Sequence, residues 1–196
     1  MNLKTKVIAA AVTNLTDARY FAAWGVDYMA HIIDDRDDQY IGIEGTKEII
    51  DWVEGPKHMG LLSGADTPAN CSEIYTALEL EALMVSPFID VQTVEHVSPT
   101  VYRTVLWDSS LLALEEELLI VKLPDATTLE DIASDLQKVS AKNIVYLDIH
   151  PTVADLTLVL QSIRPEGIVL RGGEEEKVGF KSYDELDDIF EYLEED

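Results

Sequence analysis

Residues that could transfer protons follow two short apolar runs in the second half of the chain. Lys122 ends one run, and Asp148 and His150 follow the next. Lysine, aspartate and histidine act as general acids or bases when their surroundings tune their pKa values. Because alternate residues of a strand share a face, Asp148 and His150 are predicted to form an acid/base pair. The alternative is that His150, which precedes Pro151, is a loop residue leading into a helix.

Lys122 has two interpretations. It could be a phosphate ligand or a general acid, provided that burial lowers its pKa. The sequence favours the alternative, in which this lysine forms an ion pair with one of three carboxylates near other strand ends, namely Asp108, Asp125 or Asp148.

The segment Arg171-Gly172-Gly173 is the best candidate for binding an anion. Glycines expose backbone N–H groups, and a guanidinium adds a fork of donors, so together they predict a phosphate site. The competing interpretation is a tight turn from strand to helix whose arginine is paired in solvent.

Three other features are expected to be structural. His31 could point into the interior of the fold, where it would be a neutral, hydrogen-bonded core residue. Cys71 lies in a predicted helix and is expected to be an inert packing thiol. The acidic run 34–38 lacks the regular spacing and turn glycine of a calcium loop, so we expect a solvated charge run. Neither a metal ion nor a cofactor is predicted.

These residues are positioned by alternating apolar runs and helical patterns, which indicate repeated βα units. Eight successive units with apolar strands predict one closed (β/α)8 barrel, a TIM barrel, over residues 1–196, with short loops. A doubly wound open sheet is the alternative, but it usually needs a long crossover, and none is evident. The predicted strands are 6–11, 27–33, 57–62, 82–85, 101–106, 118–123, 143–147 and 167–171. The predicted helices are 14–24, 46–53, 67–78, 91–96, 111–117, 127–139, 152–163 and 183–193.

Composition narrows the classes of partner. The chain has 196 residues, of which 47% are hydrophobic, and 38 acidic residues against 14 basic ones give a net charge of -24. This charge repels nucleic acid and anionic membranes, so neither is an expected partner. The single cysteine fits a reducing compartment, and the apolar run 7–12 is too short for a signal peptide or a membrane span. We therefore expect a cytoplasmic protein.

Two segments resemble phosphoribosylanthranilate isomerases. Residues 13–18, Thr-Asn-Leu-Thr-Asp-Ala, continuing to Gly25-Val26-Asp27, are similar to the family's Thr-Asn-Leu-Glu-Asp-Ala and Gly-Ala-Asp. Residues 167–181 are similar to its closing Ser-Ser-Gly-Val-Glu and Pro-Gly-Xaa-Lys pattern, and Gln39-Tyr40-Ile41 and residues 80–86 occupy the places of two further motifs. The resemblance implies a TIM barrel and an isomerase of tryptophan biosynthesis.

The resemblance also implies that the reactive groups are replaced. The cysteine that serves as the family's general base corresponds to Ala10, and its general-acid aspartate corresponds to Lys122, with Asp125 one short turn beyond. Its phosphate-binding glycines after strand seven correspond to Asp148-Ile149. Gly172 and Gly173 remain as the anion-contacting turn.

Three hypotheses follow. A barrel of this family would have absent or very weak isomerase activity. Arg171, Gly172 and Gly173 would bind phosphate, sulfate or a phosphorylated small molecule weakly. A non-catalytic barrel would instead act as a binding or assembly partner, joining another protein through its acidic surface or forming a homodimer. A different barrel enzyme would use Lys122, Asp148 and His150, with the lysine as an acid or in a Schiff base.

Overall fold

A computed structural model describes residues 2–125, 127–172, 175–177 and 180–195. Eight parallel strands close into a barrel in the order of the chain, so the predicted (β/α)8 fold is confirmed. The strands are β1 Lys6–Ala10, β2 Tyr28–Ile32, β3 Lys57–Leu62, β4 Ala82–Val85, β5 Val101–Leu106, β6 Leu118–Lys122, β7 Ile144–Asp148 and β8 Gly167–Arg171. A small antiparallel pair, β9 Glu175–Lys177 and β10 Phe180–Lys181, follows β8.

Six α-helices surround the barrel within the described residues: α1 Leu15–Trp24, α2 Gly42–Trp52, α3 Cys71–Ala77, α4 Leu129–Ser140, α5 Val153–Leu158 and α6 Asp184–Leu193. The predicted start and end of α1 are confirmed. The Asn14 side chain accepts a hydrogen bond from the Asp17 N–H at 2.9 Å, and Gly25 has a left-handed φ of 72°. A capping box formed by Thr152 and Asp155 starts α5, which continues as a π-helical turn over Val159–Ile163.

Two predicted helices are shorter and of another type. The chain forms 3₁₀ turns at Val91–Thr93 and at Ser109–Ala113, where helices were expected over 91–96 and 111–117. Asp108 caps the second turn through the Ser110 N–H at 2.6 Å. Glu116 has a φ of 61°, a left-handed conformation that an α-helix over 111–117 would not contain.

The barrel has an inner and an outer apolar layer because successive strand residues point to opposite sides. The outer layer lies between the strands and the helices. The inner cluster consists of Ile8, Ala10, Ala30, Met59, Ala82, Met84, Tyr102, Ile120, Tyr146 and Val169.

Three tyrosines occupy the interior toward the amino-terminal end of the strands. The ring of Tyr102 lies 6.2 Å from that of Tyr28 and 5.7 Å from that of Tyr146. A Cβ atom on Gly167 would lie 2.5 Å from the Tyr146 ring and 2.3 Å from the Lys6 carbonyl oxygen, so β8 needs glycine at this position. We call these three rings the tyrosine layer.

In the described part of the chain, no helix is both long enough and apolar enough to cross a membrane.

Candidate functional site at the barrel mouth

Three charged side chains face inward at the carboxyl ends of neighbouring strands. Lys122, Asp148 and Arg171 each come two residues after a member of the inner cluster on β6, β7 and β8, so they point to the same side as that cluster. Lys122 and Asp148 are also paired in the strand register. In barrels of this type, active sites are built at this end of the strands.

Asp148 is the centre of this group, which we call the mouth cluster. Its side chain is only 5% exposed, and both its oxygens accept hydrogen bonds from Arg171: Oδ1 from Nη1, and Oδ2 from Nη2 at 2.8 Å. Lys122 Nζ lies 3.4 Å from Oδ2 and is 46% exposed. The carboxylate therefore lies between two cations, and the predicted ion pair of Lys122 with Asp148 is present.

Arg171 remains charged although it is largely buried. The hydrogen bonds to Asp148 raise the pKa of Arg171, and this effect exceeds the opposing effect of desolvation. Its side chain is 30% exposed, so one side of the guanidinium is open to the mouth.

Ala10 lies beside this cluster. It ends β1, is paired with Arg171 in the strand register, and is buried in the inner layer. A methyl group at this position supplies neither a nucleophile nor a proton acceptor.

His150 lies in a different environment from Asp148. Strand β7 ends at Asp148, and His150 is an exposed residue of the loop before α5. It lines a cleft of about 990 Å³ between the loops after β7 and β8 and helix α6, and Arg171 also borders this cleft. Among the described residues, no hydrogen bond joins His150 to Asp148, so the structure does not bring the two side chains together as a bonded pair.

Carboxylates surround the predicted phosphate-binding turn. A Cβ atom on Gly172 would lie 2.7 Å from Asp17 Oδ2, which places this glycine directly against a buried carboxylate. Asp17 accepts hydrogen bonds from Asn14 Nδ2 at 2.7 Å and from the Tyr183 hydroxyl. Gly173 lies outside the described residues.

The far wall of the cleft is acidic as well. Asp184, Glu185 and Asp188 line it from the first turns of α6. The amino-terminal end of a helix ordinarily favours anions, but these three carboxylates repel them.

His31 faces away from the barrel interior. It shares the outward face of β2 with Met29, and its Nδ1 donates to the Val12 carbonyl oxygen at 3.2 Å. Its Nε2 lies 3.0 Å from Nδ1 of His58 on β3. Burial, together with the neighbouring His58, lowers the pKa of His31 to about 4. The histidine is neutral and hydrogen-bonded as expected, but it lies between the sheet and the helices.

The acidic loop after β2 was expected to be a solvated charge run, but one of its carboxylates is buried in an ion pair. Asp34 is buried and accepts hydrogen bonds from Arg36 Nε at 2.8 Å and Nη2 at 2.9 Å, and Arg36 also binds Asp66. Among the described residues, no group of histidines, cysteines and carboxylates has the geometry to hold a metal ion. Cys71 is buried in the outer layer, and burial raises the pKa of its thiol.

The sequence alone missed the two-oxygen contact between Arg171 and Asp148. Its signal was the presence of opposite charges at the ends of consecutive parallel strands, where neighbouring side chains meet.

No protein-family model matches the chain, and no curated protein matches it by sequence. The structure of phosphoribosylanthranilate isomerase from Thermotoga maritima has a TM-score of 0.76 and 16% identity, covering 95% of this chain and 96% of that one. The enzyme of the same name from Thermus thermophilus gives 0.73 and 18%, covering 96% and 98%. The 3-hexulose-6-phosphate synthase from Salmonella typhimurium gives 0.62 and 15%, also covering 96% and 98%. Over nearly its whole length, the chain therefore has the fold of the phosphoribosylanthranilate isomerases, as the resemblance in its sequence implied.

Proposed function

We propose that this protein is a phosphoribosylanthranilate isomerase-like barrel whose isomerase activity is absent or very weak and that binds a small anionic molecule at its mouth. The observation that carries this proposal is the mouth cluster, in which Lys122 and Arg171 flank Asp148 beside Ala10.

The isomerisation needs proton transfer at two atoms, the ring oxygen of the aminoaldose and the carbon next to the imine. Each positioned acid or base typically contributes a factor of about 10²–10⁴ to the rate. Ala10 has no group that exchanges a proton, and the ammonium group of Lys122 is paired with Asp148. Both positions that the resemblance assigns to proton transfer therefore lack their usual group.

Anion binding is supported by the two cations that converge on the mouth. A phosphoribosylanthranilate isomerase with a TM-score of 0.75 and 14% identity was solved in complex with reduced 1-(o-carboxyphenylamino)-1-deoxyribulose 5-phosphate. In the present chain, Asp148 offsets part of the attraction, since a pair of unit charges 4 Å apart interacts by about 4 kcal/mol at an effective dielectric constant of 20. We therefore propose weak affinity for a phosphorylated molecule at Arg171 and Gly172. Gly173, the third residue of the predicted site, lies outside the described residues.

The first test is an isomerase assay with phosphoribosylanthranilate as substrate. We expect either no isomerisation or a rate more than about 100-fold below that of the Thermotoga maritima enzyme. The Thermotoga maritima enzyme, assayed in parallel, is the positive control. Turnover within about 100-fold of that enzyme, which is the effect of one positioned acid or base, would contradict the proposal.

The second test is phosphate titration monitored by calorimetry. Asp148→Asn removes the competing carboxylate and is expected to increase phosphate affinity about 10-fold or more, whereas Arg171→Ala is expected to abolish binding. Glu81→Gln, which removes the charge from an exposed ion pair with Lys57, is the control and should leave phosphate binding unchanged. Identical phosphate affinities in all four proteins would show that the anion site is absent.

A different barrel enzyme is the second candidate function, and the exposure of Lys122 at the mouth, 3.4 Å from Asp148, favours it. Such an enzyme would use Lys122, Asp148 and His150, with the lysine as an acid or as the amine of a Schiff base. Borohydride reduction in the presence of carbonyl metabolites would then add mass to Lys122, and Lys122→Arg would abolish the adduct. Failure to trap any adduct across a broad set of aldehydes and ketones excludes the Schiff-base form of this function.

We propose a cytoplasmic location and a single-domain organisation. The free, buried Cys71 supports a reducing compartment. The net charge of -24 disfavours nucleic acid and anionic membranes as partners. We propose that a partner, where there is one, is another protein or a second copy of the chain.

A further inference from the structure

We infer that the mouth cluster is a carboxylate-binding site that the chain fills with its own Asp148. The ligand class is thus a small monocarboxylate, which would bind where the Asp148 carboxyl group now lies. The inference rests on the attraction of anions to Lys122 and Arg171, as proposed above, but it concerns the position of the Asp148 carboxyl group and not the weak site at Arg171 and Gly172. It is independent of whether the protein is an isomerase.

The first support is the geometry of the bound carboxylate. Arg171 donates from its two terminal nitrogens to the two oxygens of Asp148, which is the planar two-bond contact characteristic of arginine with carboxylates. Lys122 approaches one of the same oxygens at 3.4 Å. Three donor groups from two strands, Nζ of Lys122 on β6 and the two terminal nitrogens of Arg171 on β8, converge on one carboxyl group on β7.

The second support is access from solvent. The Asp148 side chain is almost completely covered, yet its two cationic partners are partly exposed to the mouth. A carboxylate from solvent could therefore reach Arg171 and Lys122 if the Asp148 carboxyl group were missing.

The choice of a carboxylate over a phosphate comes from the surrounding charges. Asp17 lies against Gly172, and Asp184, Glu185 and Asp188 line the adjoining cleft. These four carboxylates outnumber the two cations of the mouth, so the charges around the site sum to a negative value, and Coulomb repulsion then disfavours a dianion more than a monoanion. The local field therefore favours the smaller charge.

Removing the internal carboxylate should open the site. Asp148→Ala deletes the carboxyl group and keeps the Cβ atom, so the space that it leaves matches one formate ion. The deletion also leaves Arg171 and Lys122 as like charges without the anion between them, which destabilises the fold. Formate restores that anion, and because it binds the native state, it raises the melting temperature.

The experiment compares thermal unfolding of the natural protein and of Asp148→Ala in sodium formate, sodium phosphate and sodium chloride at matched ionic strength. We expect Asp148→Ala to melt at a lower temperature than the natural protein in chloride. Formate at about ten times its Kd should raise the melting temperature of the variant by about 3 °C or more above the value in chloride. The natural protein should show no difference between formate and chloride, because Asp148 fills the site.

Glu81→Ala is the matched control, since it removes the carboxylate from the exposed ion pair with Lys57 Nζ at 2.9 Å. Formate should have no specific effect on this variant. If Asp148→Ala is unfolded in chloride, the comparison is made by refolding from urea, and recovery of native circular dichroism in formate but not in chloride supports the inference.

Three results would overturn the inference. Formate could have no effect on Asp148→Ala, it could stabilise the natural protein and Glu81→Ala to the same degree, or phosphate could stabilise Asp148→Ala more than formate does. Isomerase turnover by the natural protein, by contrast, would refute the absence of isomerase activity and leave the result with formate unaffected.

Discussion

Asp148 lies between two cations and therefore sets the charge balance of the mouth. The resemblance aligns it with a glycine whose backbone would bind phosphate, and here the same position holds a carboxylate between Arg171 and Lys122. Each of the two cations could bind an anion, but both already form ion pairs with Asp148. The chemistry of the mouth therefore depends on this carboxylate more than on either cation.

His31 and His58 form the other residue-scale feature with a measurable consequence. The Val12 carbonyl oxygen only accepts, so His31 Nδ1 carries the proton, and its Nε2 must accept from His58 Nδ1. Protonating His31 would set two N–H groups against each other. Burial also lowers the pKa of His58, so the native state favours the neutral form of both rings.

This arrangement predicts a loss of stability in acid. The pKa of His31 is about 4 in the native state and near 6.5 in the unfolded chain, so below about pH 6.5 the unfolded state binds the proton first. The contribution of His31 is thus complete above pH 6.5 and falls as the pH drops toward 4. We expect it to lower the free energy of unfolding by about 2 kcal/mol between pH 7 and pH 5.

The measurement is urea unfolding of the natural protein, His31→Gln and His96→Gln at both pH values. Between pH 7 and pH 5, the free energy of unfolding of His31→Gln should fall by about 2 kcal/mol less than that of the natural protein. His96 is exposed, and His96→Gln should follow the natural protein. An equal pH dependence in all three proteins would refute this account of the histidine pair.

Closure of the barrel between β8 and β1 depends on Gly167. Its missing side chain allows the Lys6 carbonyl oxygen and the Tyr146 ring to approach closely. Gly167→Ala is expected to lower the free energy of unfolding by about 3 kcal/mol or more, because the nearest atom belongs to a strand backbone that cannot rotate away.

Gly45→Ala is the control for this prediction. Gly45 lies within α2, and its nearest neighbours would be Ile41 carbon atoms at an ordinary 3.6 Å. Alanine should therefore stabilise α2 by about 0.5–1 kcal/mol. Chemical denaturation of the two variants measures both effects, and a Gly167→Ala protein as stable as the natural one would show that the strands have room to move.

The sequence predicted the elements well where local signals are strong. All eight strands begin and end within one residue of their predicted bounds, since each is an apolar run delimited by polar residues. Helix α1 was well defined by Asn14 and Gly25. Helix α2 begins at Gly42, earlier than predicted, because a glycine and an isoleucine do not resemble a capping sequence. The π-helical turn after α5 had no local signal at all.

The site was predicted less completely because it depends on which side chains meet across strands. The sequence indicated Lys122, Asp148 and Arg171 as strand-end residues, and it listed Asp148 among the partners of Lys122. It could not show that both Arg171 nitrogens bind Asp148, since that contact depends on strand register and side-chain rotamers. The outward direction of His31 depends on the same register, because a shift of one residue reverses the face.

Acidity is the dominant property of the protein as a whole. The chain carries 38 acidic and 14 basic residues, and several of the basic ones are committed to ion pairs such as Arg36 with Asp34. Most of the negative charge is therefore not neutralised, and it repels itself across the compact state.

This excess predicts stabilisation by salt. The Debye length falls from about 10 Å at 0.1 M ionic strength to about 3 Å at 1 M, which screens repulsion between surface carboxylates. Relief of about 1 kcal/mol of repulsion corresponds to a rise of about 2–4 °C in melting temperature for a chain of this size. Calorimetry in sodium chloride and in potassium chloride measures this change in melting temperature. A rise of equal size in both salts is expected, and a melting temperature that falls with salt would show that attractive ion pairs dominate.

The tyrosine layer and the mouth cluster lie toward opposite ends of the barrel, with β7 the strand that contributes to both, and this separation bears on how the protein can change. Tyr102, Tyr146 and Gly167 fill and close the amino-terminal half of the interior, while Ala10 and Lys122 lie at the carboxyl ends. Because the rings contact one another and not the mouth cluster, we expect conservative substitutions at the mouth to change its ion pairs and to leave the ring contacts unchanged. The carboxyl-terminal end of the barrel can therefore acquire a new recognition site, by natural selection or by protein engineering. The core that holds the strands together would not need to be redesigned.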